Sequence, residues 1–272
     1  MQEADVGAGE LGRSLCVVTG ASRGLGRSLS VVLAPRLGPG SHLVLVARCG
    51  ERLRETERQV RAEAPAAGGE LRISRLQADL SRPEGLQRVV GWLSGDRELG
   101  GPPERLILVN NAGTLGDISK YVVDLTDPAE VSDYFALNFT SATCLTASVL
   151  KAFPERENLG RTIINISSLC AIQPFKSWSL YCAGKAAREM MFRVLAAEEP
   201  DVRVLNYAPG PLDTDMQRQA RSETADPELR QTFTSMHQQG QLVDCRDSAA
   251  KLVNILVRDE FESGAHIDYY DQ

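Results

Sequence analysis

Histidine is scarce in these 272 residues. There are three, set far apart, which leaves a His-rich metal site without support, and no metal is expected. The six cysteines, Cys16, Cys49, Cys144, Cys170, Cys182 and Cys245, show no C-x-x-C or paired-ligand spacing. Scattered reduced thiols in a cytosolic protein are the simplest reading. No apolar run is long enough to span a bilayer, and no basic run suggests an anchor on an anionic membrane surface. Positive charge is in deficit as well: 30 Lys and Arg stand against 36 Asp and Glu, a net charge of −6. That balance argues against nucleic acid as a partner. The opening "MQEADVGAGELGRS" lacks the charged-then-apolar layout of a secretory signal, so a cytoplasmic location is expected. Two N-x-S/T matches, at Asn138 and Asn165, fall inside apolar segments that read as core and are taken as chance.

What the chain does have is apolar runs alternating with amphipathic stretches, and at 43% hydrophobic residues it can fill a sizeable core. "SLCVVTG" (14–20), "HLVLVAR" (42–48), "LRISRLQ" (71–77), "RLILVNNAG" (105–113), "RTIINISS" (161–168), "VRVLNYAPG" (202–210) and "AHIDYYD" (265–271) read as strands. Helical patterns lie between them near 23–37, 51–64, 83–94, 129–153 and from about 177, with a "PAAGG" break at 65–69. Apolar strands joined by helix-length crossovers imply a parallel sheet covered on both faces. The expectation is an α/β fold: one doubly wound, Rossmann-type sheet of about seven strands in a single domain over 1–272. Residues 1–10 are expected to be flexible. The polar, irregular segment 211–245 reads as a flap over the carboxyl edge of the sheet.

"TGASRGLG" (19–26) follows the first strand and opens the first helix. Gly20 permits the tight turn, Gly24 lets backbone approach a pyrophosphate, and Gly26 allows close helix–strand packing. The helix N-terminus then offers N–H groups and a positive dipole end to the anion. An NAD site commonly carries an acid at the end of strand two, but here Arg48 stands there. With Arg23 in the glycine turn, two guanidinium groups suit a 2′-phosphate, and the cofactor expected is NADPH/NADP. Asp79, after strand three, could accept from the adenine amine. Further cofactor contacts are expected from Ser22 and Leu25 in the turn, Cys49 beside Arg48, and Leu80 beside Asp79. Asn110, Ala112 and Gly113 in "NNAG" bring backbone to the switch point of the sheet.

"SWSLYCAGKAARE" (177–189) sets Tyr181 and Lys185 one turn apart on one helix face, thirteen residues after Ser168. A phenol near an ammonium is a plausible acid–base pair, because the cation favours the phenolate and moves its pKa toward working pH. The set T-G-x-x-x-G-x-G, N-N-A-G, Ser168, Y-x-x-x-K and Pro209-Gly210 resembles the short-chain dehydrogenase/reductase family over nearly the whole chain. The resemblance implies that Tyr181 gives a proton to a carbonyl oxygen and that Ser168 hydrogen-bonds that oxygen. It further implies that Lys185 binds the nicotinamide ribose and that Asn138 positions a relay water. Leu212 and Thr214 would complete the cofactor contacts.

Three segments, "SSLCAIQPFKSWSLYCAGKAAR", "LNYAPGPLDTDMQ" and "SGAHIDYYD", are similar to the pterin-reducing members of that family. This implies reduction of pterin side-chain carbonyls on the route to tetrahydrobiopterin, by a cytosolic homodimer. Asp268 would anchor the pterin through paired bonds to its amino and N3–H donors. Ser168, Leu169, Tyr181 and Gly210 would complete the substrate contacts, with Cys170, Trp178 and Tyr207 as either apolar walls or core packing. Two alternatives stay open on these residues: a broader carbonyl or diketone reductase of the same family, and a non-catalytic NADPH-binding sensor.

Overall fold

The structure, a computed structural model, describes residues 10–64, 71–95 and 101–271. The expected break at 65–69 lies outside them, as does the flexible start apart from Glu10. Each early strand is apolar along its length because both of its faces are covered. Strands β1 (Ser14–Thr19) and β2 (His42–Ala47) are buried at every position. They are followed by β3 (Arg72–Gln77), β4 (Arg105–Asn110), β5 (Gly160–Ile166), β6 (Val202–Ala208) and the short β7 (His266–Asp268). All pair in parallel in one sheet, in the order β3-β2-β1-β4-β5-β6-β7. The direction of winding reverses between β1 and β4, which opens a crevice at their carboxyl ends.

Alternation along the strands divides the core into two layers. Cys16 and Val18 of β1 face one side, with Leu43 and Leu45, under Leu29 and Leu33 of α1 (Gly24–Leu33) and Leu53 and Val60 of α2 (Gly50–Glu63). Leu252, Val253 and Leu256 of α9 (Cys245–Arg258) complete that layer. Leu15 and Val17 face the other side, under Val89 and Leu93 of α3 (Pro83–Ser94), Leu145 and Val149 of α5 (Ser141–Ala152) and Phe192 of α6 (Ser179–Glu198). Each such side chain contributes about 1.5–3 kcal/mol by leaving water.

Three departures from the sequence reading bear on function. The helix expected over 129–153 is two helices, α4 (Pro128–Phe135) and α5, joined by a π-helical turn at Ala136–Thr140 that contains Asn138. The flap is not irregular: it folds as α7 (Asp215–Glu223) and α8 (Pro227–Gln238). Thr214 and Asp226 cap these helices by accepting from Gln217 N and Leu229 N, and caps of that kind offset a polar composition. Leu229 and Phe233 of α8 pack on a third apolar cluster with Trp178 and Tyr181, and Phe233 stacks on Trp178 with ring centroids 5.1 Å apart. Lastly, β7 is three residues rather than seven, since the chain turns after Asp268, where Asp268 Oδ1 accepts from Tyr270 N.

Candidate active site

The glycine turn is tight for the reason its composition suggests. Gly20 takes a left-handed φ of +67°. A Cβ on Gly26 would stand 2.4 Å from the Gly20 carbonyl oxygen, so α1 can meet β1 only without a side chain there. Gly24 also has a left-handed φ, +53°, and faces Thr214. Ser22 turns its carbonyl to Arg27 Nη2 at 2.6 Å. Leu25 and Leu80 are core residues, so only their backbones are free to meet a cofactor. Beyond β2, Arg48 lines a cleft of about 400 Å³ with Gln77, Asp79, Arg82 and Arg88. Burial works against the Asp79 carboxylate, but hydrogen bonds from Ser81 and the charges of Arg48 and Arg82 together hold it below its ordinary value. Arg23 is not in that cleft; it pairs with Asp215 of α7 at 2.5 Å, both side chains half exposed. Cys49 is exposed beside the cleft, on the α2 side. A cradle without side chains, at a helix N-terminus next to an arginine cleft, fits a dinucleotide with a 2′-phosphate.

"NNAG" is locked to the first strand. Thr19 Oγ1 accepts from Asn111 N and Ala112 N, both at 3.0 Å, and Asn111 Nδ2 donates to Thr19 O at 2.8 Å. Asn138 reaches the same loop from the π turn: its Oδ1 accepts from Thr114 N at 2.9 Å and its Nδ2 donates to Tyr134 O at 2.9 Å. Its polar groups thus satisfy backbone, and the π turn is what aims them. A Cβ on Gly113 would lie 3.0 Å from Asn138 Oδ1.

The chemical residues converge just beyond β5. Ser168, half-buried, caps a short 3₁₀ turn by accepting from Cys170 N at 3.2 Å, and it is among the groups that act on the Tyr181 phenol. Lys185 Nζ donates to Ile166 O at 2.6 Å and lies 5.5 Å from the Tyr181 ring centroid. The electrostatics differ from the expected pairing. Burial pushes the Tyr181 phenol up, with Cys170 adding to the rise while Ser168 and Arg188 oppose it. Burial and Arg188 push Lys185 down. Burial is thus the leading influence on both groups, and desolvation disfavours the charged form of each. Leu169 is exposed, while Tyr207 is fully buried with its hydroxyl on Ser248, which makes it core rather than wall. Pro209 O accepts from Ser248 Oγ, Gly210 holds φ +76°, and Leu212 pairs with Val243 in an isolated bridge. Asp268 sits at the end of β7, one strand beyond β6.

The short chain dehydrogenase family profile matches residues 14–225. The chain belongs to the short-chain dehydrogenase family. Sepiapterin reductase of Bos taurus is 58% identical over 99% of this chain and all of its own length. That of Meriones unguiculatus is 55% identical over 97% and 99%. Among solved structures, L-sorbose reductase from Gluconobacter frateurii, complexed with NADPH and L-sorbose, matches with a TM-score of 0.76 at 27% identity over 95% of each chain.

Around this short-chain dehydrogenase site lies a polar frame that the sequence reading missed. Arg188 is buried and holds three acceptors at once: Asn110 O at 2.5 Å, Asn165 Oδ1 at 2.9 Å and Ala112 O at 3.2 Å. Asn165 in turn donates to Asn206 Oδ1 at 2.9 Å, so the asparagine dismissed as a glycosylation match is a buried link between strands. Glu189 is buried next to Arg188 and accepts from Ser167 Oγ and His266 Nδ1. The available signal was an Arg-Glu pair one turn after Lys185, on the Ala-rich part of the helix. Charges there need buried partners.

Proposed function

We propose that the protein is an NADPH-dependent reductase of pterin side-chain carbonyls. Its reactions are sepiapterin to dihydrobiopterin and 6-pyruvoyl-tetrahydropterin to tetrahydrobiopterin, the final step of tetrahydrobiopterin biosynthesis. The observation that carries this reading is the convergence of Ser168, Tyr181 and Lys185, in a chain 58% identical to a sepiapterin reductase. In the carry-over from the family, Gly20, Gly24 and Gly26 admit the pyrophosphate, Arg48 takes the 2′-phosphate and Lys185 the nicotinamide ribose. When bound, NADPH supplies a hydride to the carbonyl carbon. Ser168 orients the carbonyl oxygen by hydrogen bond, and Tyr181 Oη donates the proton. A phenol is protonated at neutral pH even at its ordinary value of about 10, so Tyr181 holds the proton that the reductive direction needs. The phenolate left behind faces the charge of Arg188, one of the groups that lower Tyr181. Asp268 anchors the pterin ring and turns its side chain toward Tyr181.

The whole chain is read as one domain, acting as a homodimer in the cytoplasm. Exposed Met190 and Val194, four residues apart on α6, support a self-association face. Among the described residues no helix is long and apolar enough to cross a membrane.

NADPH oxidation with sepiapterin tests the reading, with Asp268→Ala and Tyr181→Phe beside the wild type. Tyr181→Phe should lose on the order of 10²–10⁴ in turnover while still binding NADPH. Asp268→Ala should raise the sepiapterin KM and spare a small diketone. Equal losses on both substrates would point to a general carbonyl reductase, and unaltered turnover in Tyr181→Phe would refute the chemistry.

A further inference from the structure

Glu189 stands at the junction of three elements that the reaction must keep in register. It lies on α6 at four- and eight-residue spacing from Lys185 and Tyr181, hence on the same helix face. Its carboxylate accepts from Ser167 Oγ, and Ser167 is chain neighbour to Ser168. The same carboxylate meets His266 Nδ1 with its two oxygens at 2.8 and 2.9 Å. A carboxylate only accepts, so Nδ1 carries the hydrogen. His266 opens β7, and Asp268 closes it two residues on, on the same face of the sheet.

The pairing of β7 is short: three positions facing Asn206, Tyr207 and Ala208. The ladder is extended at its ends by Asn206 N to Ala265 O at 3.0 Å and Tyr269 N to Ala208 O at 2.8 Å, and these bonds hold β7 to β6 alone, at the edge of the sheet. Lys251 and the 268–271 turn secure the chain beyond Asp268 through Tyr269 O and Asp268 N. Toward the catalytic helix, the tie is His266. Its other ring nitrogen, Nε2, is buried without a hydrogen-bond partner among the described residues. An apolar ring would fill that space without leaving a polar atom unsatisfied, so the histidine is kept for what Nδ1 does.

We propose that His266 is a positioning residue for pterin specificity. By binding Glu189 it fixes Asp268 on β7 against Ser168 and Tyr181, so that a ring held at one end presents its side chain at the other. This rests on Asp268 as the pterin anchor. A substrate too small to reach Asp268 makes no use of the tie.

The test uses the full chain with His266→Phe, which keeps a ring and removes the donor, and His266→Asn, whose Nδ2 restores a donor near the Nδ1 position. Both are assayed with sepiapterin and with diacetyl, a diketone lacking the ring, alongside NADPH binding by fluorescence. His266→Phe should raise the sepiapterin KM roughly tenfold, the scale of one hydrogen bond to a charged group. Its kcat/KM with diacetyl and its NADPH affinity should stay near wild type, and His266→Asn should recover most of the sepiapterin KM. Parallel losses on both substrates, or an unchanged sepiapterin KM in His266→Phe, would overturn the proposal. If His266→Phe does not fold, as loss of NADPH binding would reveal, Ser167→Ala and His266→Asn serve together. A Ser167→Ala protein whose sepiapterin KM and diacetyl KM rise by the same factor would overturn it too. Asp268→Ala separates the two levels: if it leaves the sepiapterin KM unchanged, the anchor reading itself fails. If it raises KM while His266→Phe does not, only the present inference falls.

Discussion

Replacing Gly26 by alanine sets two effects of opposite sign against each other. In an ordinary helix interior the change stabilises by about 1 kcal/mol, since alanine has the better helix propensity. Here the added methyl would lie 2.4 Å from the Gly20 carbonyl oxygen and 2.5 Å from Asn111 Nδ2. Neither can yield freely. Gly20 is held in a left-handed turn, and Asn111 Nδ2 is bonded to Thr19 O. To reach the 3.4 Å of ordinary contact the carbonyl must retreat by about an ångström, and overpacking on that scale costs about 1–3 kcal/mol. The displaced backbone is the one proposed to meet the pyrophosphate. NADPH should therefore bind more weakly, by up to about 150-fold where the whole strain falls on the bound state, with a melting temperature at or below that of wild type. Fluorescence titration and a thermal melt read both quantities. A Gly26→Ala protein that binds NADPH normally and melts higher would show that propensity wins and that α1 does not abut β1 as described.

Arg48→Ala should weaken NADPH binding by about 10- to 100-fold, the loss of a charge-assisted bond to phosphate, while leaving NADH binding nearly unchanged; a parallel loss for both nucleotides would remove Arg48 from the 2′-phosphate. Its effect should exceed that of Arg23→Ala, because Arg23 is already paired with Asp215. The His266–Glu189 contact should also appear in the pH dependence of stability. The hydrogen bond to Glu189 raises His266 above its ordinary value, with partial burial opposing and Asp268 and Asp271 assisting. A raised folded value means that the contribution is fully present below the ordinary imidazole value of about 6.5 and fades as pH rises through the folded value. Wild type should then out-melt His266→Asn by more at about pH 6 than at about pH 9; a gap independent of pH would refute the assignment.

Much of this was legible in the chain because each signal was local. Strands apolar along their whole length announce a sheet covered on both faces, and the glycines of the first turn announce a close approach. What stayed hidden depends on partners distant in sequence. Arg188 and Glu189 look like surface charges on a helix until Asn110, Asn165, Ser167 and His266 are brought to them. The desolvation that leads the electrostatics of Tyr181 and Lys185 is likewise a property of packing, not of spacing. The π turn at Asn138 escaped because an extra residue in a helix leaves no compositional mark. The helices α7 and α8 escaped because polar helices gain their order from caps and from a narrow stripe, here Leu229 and Phe233 on the Trp178 cluster.

The brevity of β7 has a consequence for how affinity is distributed over the ensemble. A strand with three ladder positions at a sheet edge opens at a lower free-energy cost than β1 or β4, which are flanked on both sides. The fraction of molecules with Asp268 in place then scales the apparent substrate affinity, whereas nucleotide binding at the β1–β4 crevice escapes that factor. Hydrogen exchange at the Ile267 and Tyr269 amides, which face β6, would read the fraction directly, and substitutions far from the pterin that loosen this edge should appear in KM for substrate alone.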